Sequence, residues 1–178
     1  MSRLAVLLRA VNVGGAGKLA MADFKACLAG LGYAETATLG AAGSAIIATA
    51  ASAGSVKDRV EKQLQSEFGL ATEVFVRTHA ELAATLGGNP FDDMAKADPS
   101  HLLVLFLDGE PATGAIESLR GKISGPEKVE GGPRCLYIAY GGGIVGSKLS
   151  GAIIERALGL RGTGRNWNTV GKLAALTV

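Results

Sequence analysis

The sequence predicts an α+β protein built from two similar ferredoxin-like halves, with antiparallel sheets packed against helices. Short apolar runs of strand length alternate with segments whose apolar residues lie three and four positions apart. Glycine-rich turns separate these segments, and the 26 glycines among 178 residues are about twice the usual share. After the breaker cluster at residues 87–90 the alternation begins again. We therefore place the halves at residues 1–87 and 88–178, with one compact unit containing both as the alternative.

The first half shows the strand and helix order of a ferredoxin-like unit, βαββαβ. Its two long helices are predicted from apolar residues three or four apart, and each pattern stops at a glycine, Gly32 or Gly69. A glycine turn at residues 40–43 separates the two middle strands and predicts a hairpin. The predicted segments are strand Leu4–Val11, a helix from Met21 to Leu31, strands Thr36–Leu39 and Ser44–Thr49, helix Val56–Phe68, strand Glu73–Arg77 and helix His79–Leu86.

The second half repeats this order up to its fifth element. A hairpin is predicted around the turn at residues 130–133, and a terminal helix takes the place of the first half's last strand. The predicted segments are strand Leu102–Leu107, helix Ala112–Arg120, strands Glu127–Val129 and Arg134–Tyr140, helix Lys148–Leu158 and helix Trp167–Leu176. The repeated order suggests a duplication, although no repeat of individual residues accompanies it.

Composition limits the kinds of partner and the compartment. A net charge of +2 is too small for a long basic stripe, so nucleic-acid binding through bulk charge is disfavoured. Cys27 and Cys135 lie in apolar surroundings and form neither a disulfide framework nor a CxxC motif. The N-terminus lacks the pattern of a signal peptide, and no apolar run has the length of a membrane span. We expect a cytoplasmic protein, a monomer or homodimer, without membrane contact.

No residue pattern predicts a metal or a cofactor. The two histidines, His79 and His101, lie outside any ligand spacing. Asp92, Asp93 and Asp98 cluster in what we interpret as a solvated loop. The predicted strands also lack the exposed aromatic side chains on which an RNA-recognition module stacks bases. We therefore expect no metal, no cofactor and at most a weak role for nucleic acid.

Two glycine-rich segments join a predicted strand to a predicted helix. Residues 12–18 end in Lys18 but depart from a phosphate loop of the Walker type, because Asn12 replaces a glycine and Leu19 a serine or threonine. Residues 141–148 end in Ser147 and Lys148, where Ser147 can cap the following helix. Either segment is compatible with anion binding or with a simple turn.

The third candidate segment, residues 161–172, holds the chain's only tryptophan. An arginine fork at Arg165 beside helix-terminal N–H groups suits a phosphate or carboxylate. In the alternative interpretation, Trp167 fills a core, Asn166 or Asn168 caps the helix and Arg165 is solvated.

Taken together, these motifs resemble a known family. The residues that carry the resemblance, in chain order, are Leu7–Gly15, Lys18, Asn89–Phe91, Ser147–Leu149 and Arg165–Val170. They are similar to domain-of-unknown-function family 1697 (DUF1697), and the resemblance implies tandem ferredoxin-like units without an established activity. One departure concerns the turn after the second strand, where the family has Gln-Ser-Gly-Asn and this chain has residues 41–44, Ala-Ala-Gly-Ser. If that turn binds a ligand, this protein has lost most of its hydrogen bonds; otherwise the turn is structural.

The leading functional expectation is a basic pocket between the halves that holds a phosphorylated or otherwise anionic small molecule, or a nucleic-acid end. The candidate binding residues are Arg9, Asn12, Lys18, Ser147, Lys148, Arg165, Asn166, Trp167 and Lys172. An enzyme acting on a phosphate-containing substrate is the first alternative, and it is less favoured because the motifs contain no general base. A non-catalytic scaffold that pairs through a sheet edge is the second. The catalytic residues, if any, are unknown.

Overall fold

The computed structural model describes residues 1–15 and 17–178. It confirms the α+β fold class, with two four-stranded antiparallel sheets packed with helices. The chain divides into two compact units, Met1–Ala83 with Lys172–Val178, and Ala84–Gly171. Ala16, inside the candidate segment at residues 12–18, lies outside the described residues. None of the described helices has the length and hydropathy needed to cross a bilayer.

The first unit contains one sheet and the helices that follow its strands. The strand order in this sheet is β2-β3-β1-β4. The elements are β1 (Ser2–Leu8), α1 (Met21–Gly30), β2 (Ala34–Leu39), β3 (Ser44–Thr49), α2 (Ala53–Phe68), β4 (Val74–Thr78) and the beginning of α3 (His79–Gly87).

Helix α2 shows why the first-half pattern folds as predicted. Val56, Val60 and Leu64 are fully buried in the core that the helices form with one face of the sheet. Burial of each such side chain contributes about 1.5–3 kcal/mol. Ser52 caps the helix by accepting a hydrogen bond from the Ser55 N–H at 3.2 Å, and Gly69 ends it with a φ of +63°.

The second unit contains the other sheet, with strand order β6-β7-β5-β8. Its elements are α4 (Asp92–Ala97), a 3-10 turn (Pro99–His101), β5 (Leu102–Leu107), α5 (Ala115–Arg120), β6 (Lys128–Gly132), β7 (Cys135–Ala139), α6 (Gly151–Leu158), β8 (Gly162–Asn166) and the beginning of α7 (Trp167–Leu176). Each sheet therefore ends in a fourth strand that is followed at once by a helix.

Strand β8 corrects the prediction that the terminal helix replaces the last strand. Glycines weaken a strand pattern, and Gly162 and Gly164 left the segment without a recognisable apolar alternation. The structure shows why glycine is needed: a side-chain carbon at Gly162 would lie 2.7 Å from Leu105 Cγ and 3.0 Å from the Phe106 carbonyl oxygen. Large leucines on β5 thus occupy the space that side chains on β8 would fill.

Two further expectations for the second half were wrong. Helix α6 begins at Gly151, and its cap is Ser150, whose hydroxyl accepts from the Ile153 N–H at 3.3 Å; Ser147 does not cap it. The acidic cluster is also not simply a loop, because Asp92 and Asp93 form the first turn of α4 and Asp98 follows its end. Carboxylates at a helix N-terminus are favoured by the helix dipole.

The strands β1, β5 and β7 are buried on both faces, which explains their continuous apolar runs. On the face opposite the helices α1 and α2, the first sheet buries Leu7 and Arg77. The corresponding face of the second sheet buries Tyr137 and Arg165. The Tyr137 hydroxyl donates to the Thr85 carbonyl oxygen at 2.6 Å, so the end of α3 covers part of this face in the second unit.

Candidate functional site

The candidate site lies at one end of the second sheet, where four connections meet. In the strand register, Ala139 at the end of β7 is opposite both Leu102 at the start of β5 and Lys128 at the start of β6. Asn166, at the end of β8, pairs with Leu103. We call this edge the Ala139 end. It collects the segments that enter β5 and β6 and the segments that leave β7 and β8.

Three polar residues form a row across the Ala139 end. One step beyond the paired residues, His101, Tyr140 and Glu127 lie side by side, and the Tyr140 N–H donates to the His101 carbonyl oxygen at 3.0 Å. Side chains alternate along a strand, so the row shares the face of Val129 and Ile138, which belong to the core with α6. Neighbouring strands lie about 4.8 Å apart, which places His101 and Glu127 roughly 10 Å from each other at the backbone.

His101 is held by a carboxylate. Its Nδ1 lies 2.6 Å from Asp98 Oδ2, and the Ser100 hydroxyl donates to Asp98 Oδ1 at 2.9 Å. The bond from His101, followed by that from Ser100, lowers the pKa of Asp98 below its usual range. When Nδ1 donates its proton to the carboxylate, Nε2 is left as a hydrogen-bond acceptor. Within the described chain no hydrogen-bond partner is seen for Nε2, which lies 3.9 Å from the position of a side-chain carbon at Gly143.

Glu127 is the buried member of the row, with 8% of its surface exposed. The Ser147 hydroxyl donates to Oε1, and this hydrogen bond is the main cause that lowers the pKa of the Glu127 carboxyl. The second oxygen, Oε2, is buried and has no hydrogen-bond partner among the described residues. Oε2 lies beside Gly125, in space that a side chain at that position would occupy.

Tyr140 lies between the two other side chains and is 5% exposed. Burial is the main cause that raises the pKa of its phenol, and the charge of Glu127 adds to the effect. Tyr140 therefore remains a neutral phenol at physiological pH. The row accordingly combines an imidazole, a phenol and a carboxylate.

Residues 141–150, which we call the glycine loop, pass along this row. A side-chain carbon at Gly142 would lie 3.4 Å from Pro126, Gly143 is next to His101, and Ser147 is bonded to Glu127. Gly143 and Gly146 have φ values of +86° and +85°, which side chains rarely allow. Between these glycines, Ile144 is 41% exposed and Val145 98% exposed. The loop thus presents apolar side chains to solvent, and its Ser147 side chain ties it to Glu127.

A cleft of about 430 Å³ opens on the other face of the Ala139 end. Gly141 at the start of the glycine loop lines it, together with Phe91, Lys128 and the carboxylates of Asp92 and Asp93. The cleft therefore carries charges of both signs. Within the described residues, no group of three or more histidine, cysteine or acidic side chains is placed to hold a metal ion.

Four of the sequence-predicted residues lie at the Ala139 end. Ser147 and Lys148 belong to the glycine loop, and Lys148 is exposed. Asn166 caps α7 by accepting from the Thr169 N–H at 2.9 Å, and Trp167 is the partly exposed first residue of that helix. This confirms the capping interpretation of Asn166.

Arg165 is on the opposite face of the sheet from the row and is 5% exposed. Its Nη1 donates to the Thr163 hydroxyl and the Gly164 carbonyl oxygen, both at 2.8 Å. Burial lowers the pKa of this guanidinium to about 10. The interpretation of Arg165 as a solvated side chain is therefore wrong.

Arg9, Asn12, Lys18 and Lys172 belong to the first unit. Arg9 is partly buried, and the other three are exposed or partly exposed. The first three follow β1, at the end of that sheet where the chain leaves Leu8. Lys172 is in α7.

Asn12 stabilises the segment that follows β1. Its Nδ2 donates to the carbonyl oxygens of Leu19 and Ala41 at 2.8 and 2.9 Å, and its Oδ1 accepts from the Leu19 N–H at 2.9 Å. The turn at residues 41–44 thus binds Asn12 through a backbone carbonyl. This hydrogen bond does not depend on the polar side chains that the family has in the turn and this chain lacks.

The sequence motifs did not predict four residues as part of this site: His101, Asp98, Tyr140 and Glu127. They come from separate segments, and only the strand register brings them together. The single local signal is the Asp-Pro-Ser-His order at residues 98–101, in which an aspartate precedes a histidine by three residues ahead of a strand.

The family comparison agrees with the motifs in the sequence. Residues 1–137 match the family described as a protein of unknown function, DUF1697. The chain belongs to the DUF1697 family. The matched range ends in β7, so the glycine loop, α6, β8 and α7 of this DUF1697 protein lie beyond it.

The fold of this DUF1697 chain has a solved relative. It is similar to the conserved bacterial protein SP0830 from Streptococcus pneumoniae, with 17% sequence identity, a TM-score of 0.71 and coverage of 99% of each chain. At this identity the likeness shows the fold alone. No curated protein matches the sequence.

Proposed function

We propose that this protein binds a small phosphorylated or otherwise anionic molecule at the Ala139 end of its second unit. The observation that supports the proposal is the path of the glycine loop, which passes close to Pro126 and His101 and bonds to Glu127 through Ser147. A loop rich in glycine lets backbone N–H groups approach a ligand closely, which is how many proteins hold phosphates. The loop and the row together make a place where backbone donors meet titratable side chains.

Charge decides where at this end an anion is stable. Glu127 and Asp98 are carboxylates, so the anion is expected away from them, towards Lys148 in the loop and the N-terminus of α7. Helix N-terminal N–H groups and the helix dipole favour negative charge, and Asn166 caps the Thr169 N–H of that helix. Since Asn166 pairs with Leu103, this helix begins beside the start of β5 and so beside His101.

The exposed side chains of Ile144 and Val145 also support a ligand-binding loop. Apolar groups in water are unfavourable by roughly 25 cal/mol per Å² relative to burial. Closure over a ligand would remove part of this area from water, and the two left-handed glycines allow the loop to change its course.

The test is a titration followed by the fluorescence of Trp167, the only tryptophan, at the first position of α7. Inorganic phosphate, small phosphorylated compounds and short oligonucleotides are added at low and moderate salt. We expect a saturable change that salt weakens, because the attraction is between charges. Lys148→Ala should weaken binding about tenfold, as loss of one charge-assisted hydrogen bond does.

The matched control is Lys18→Ala, which removes an exposed lysine from the other glycine-rich segment, in the first unit. Its affinity should equal that of the unmodified protein. A flat response to every anion, or equal loss in both variants, would contradict the proposed location.

We further propose a cytoplasmic location. The support is that both cysteines are buried free thiols, which need no oxidising compartment.

A further inference from the structure

We infer that the anion bound at the Ala139 end carries hydroxyl groups, as a phosphorylated or carboxylated polyol does, and that His101 and Glu127 accept hydrogen bonds from them. The inference deepens the proposed function and rests on it. Two hydrogen-bond acceptors of the row are available: Glu127 Oε2 is buried without a partner among the described residues, and His101 Nε2 belongs to a side chain that is 41% exposed.

In the neutral imidazole His101 Nε2 is the acceptor, because Asp98 favours the tautomer with the proton on Nδ1. The Nδ1 to Oδ2 distance of 2.6 Å is that of a charge-assisted hydrogen bond, and the backbone N–H of His101 also donates to the Asp98 carbonyl oxygen at 3.1 Å. The residue is therefore held at both its backbone and its side chain. With 41% of its side chain exposed, His101 can be reached from solvent.

Glu127 Oε2 requires a donor that the described residues do not provide. A buried carboxylate oxygen without a hydrogen bond is costly, and Ser147 satisfies only the other oxygen. Ser147 holds the same carboxylate from the glycine loop, while Oε2 lies beside Gly125, so access to Oε2 requires a displacement of the loop or of the segment at Gly125. A hydroxyl group of the ligand can then supply the missing donor.

The spacing of the two acceptors favours a polyol over an amine. They begin roughly 10 Å apart at the backbone, and their side chains point to the same side of the sheet. A single ammonium group cannot reach both, whereas hydroxyl groups along a short carbon chain or ring can. Tyr140, between them, adds a neutral phenol that both donates and accepts.

The experiment compares the affinities of glucose 6-phosphate, propyl phosphate and phosphoethanolamine by calorimetry with the full chain. We expect glucose 6-phosphate to bind at least tenfold more tightly than propyl phosphate, because hydrogen bonds to charged or fixed acceptors are strong. Equal affinities would overturn the hydroxyl inference and leave the proposed anion site standing. Binding of none of the three would remove both. A preference for phosphoethanolamine would replace the polyol by an amine and overturn the inference.

The Glu127→Gln variant tests whether Glu127 Oε2 is the atom that accepts a hydrogen bond from the ligand. The amide oxygen of the new side chain still accepts from Ser147, while the unpartnered acceptor becomes an N–H donor that repels a ligand hydroxyl hydrogen. Affinity for glucose 6-phosphate should fall about tenfold and that for propyl phosphate should stay within about twofold. Equal changes for the two ligands would contradict the role of Glu127.

Two further variants complete the test. Glu130→Gln removes a charge from β6, the strand that follows Glu127, at a residue paired with Arg120, and should leave the selectivity unchanged. If Glu127→Gln fails to fold, His101→Phe carries the test, because it removes the other acceptor at a partly exposed position. It too should reduce binding of glucose 6-phosphate about tenfold relative to propyl phosphate, and an unchanged ratio would overturn the inference.

Discussion

The two units share one element order but differ in where their connections are long. In both, a fourth strand leads straight into a helix, and the helix before that strand begins at a capping serine, Ser52 or Ser150. The connection from the third strand to that helix occupies residues 50–52 in the first unit and residues 140–150 in the second. The second unit thus inserts the glycine loop at a position where the first needs only a short turn.

The equivalent ends of the two sheets are correspondingly different. In the first unit, Arg3 forms an exposed ion pair with Glu35 at 2.7 Å and donates to the Val178 carbonyl oxygen at 2.9 Å. These groups satisfy each other. At the Ala139 end, Glu127 Oε2 has no partner among the described residues. In the first unit the buried Tyr33 hydroxyl, one residue before β2, likewise has no partner among the described residues, so the two ends differ in the group that is unpartnered, a phenol in one unit and a carboxylate in the other.

The largest expected effect concerns a feature that both units share, a buried arginine in the fourth strand of each sheet. Arg77 and Arg165 are 3% and 5% exposed, and each donates to the carbonyl oxygen of the residue before it. Replacement by alanine leaves a cavity and buried acceptors without a donor, so each variant should lose about 3 kcal/mol of unfolding free energy. Urea denaturation measures this.

The control for this pair is Lys172→Ala, in a helix position that is not buried, which should change the unfolding free energy by less than about 0.5 kcal/mol. A stable Arg165→Ala protein beside an unstable Arg77→Ala protein would show that the two buried arginines do not have the same structural role.

The next largest effect concerns a difference between the two fourth strands, namely the glycines of β8. Gly162→Ala adds a carbon 2.7 Å from Leu105 Cγ and 3.0 Å from the Phe106 carbonyl oxygen, so overpacking should cost roughly 1–3 kcal/mol. Gly171→Ala makes the same change in helix α7, where nothing lies within 4 Å, and should stabilise by about 0.5–1 kcal/mol. Thermal denaturation compares the two variants. Stabilisation by both substitutions would show that β8 accommodates side chains as β4 does.

The smallest effect concerns the carboxylate under the glycine loop. Ser147→Ala removes the main hydrogen bond that lowers the pKa of Glu127, so this pKa should rise. A carboxylate with a lowered folded-state pKa adds stability above its unfolded-state pKa and loses it as pH falls through the folded-state value. In the variant this stabilisation should be smaller, and its loss should be complete at a higher pH. Carbon-detected NMR titration of the glutamate carboxyl groups measures the shift.

The matched control for this titration is Ser150→Ala. It removes the cap of α6, which should cost about 1 kcal/mol, without removing the hydrogen bond to Glu127. A pKa change of Glu127 in Ser150→Ala, or none in Ser147→Ala, would contradict the bond that ties the loop to the row.

The sequence by itself determined the fold class, most helices and strands, and the family. Apolar spacing and glycine stops act locally, so α2 and its Gly69 terminus follow from residues within a few turns of one another. The same locality explains the failure at β8, since Gly162 and Gly164 are glycines because of leucines on a distant strand.

Only the tertiary structure decided which polar residues share a place. Sequence spacing singled out Ser147, Lys148 and Asn166, each beside a turn or a helix terminus. His101, Tyr140 and Glu127 came together through antiparallel register between strands far apart in the chain. Register also separated Arg165 from the row, because a shift of one residue along a strand moves a side chain to the opposite face. The order of residues in the sequence shows neither which strands pair nor which face of the sheet a side chain occupies. Both are set by the packing of the whole sheet.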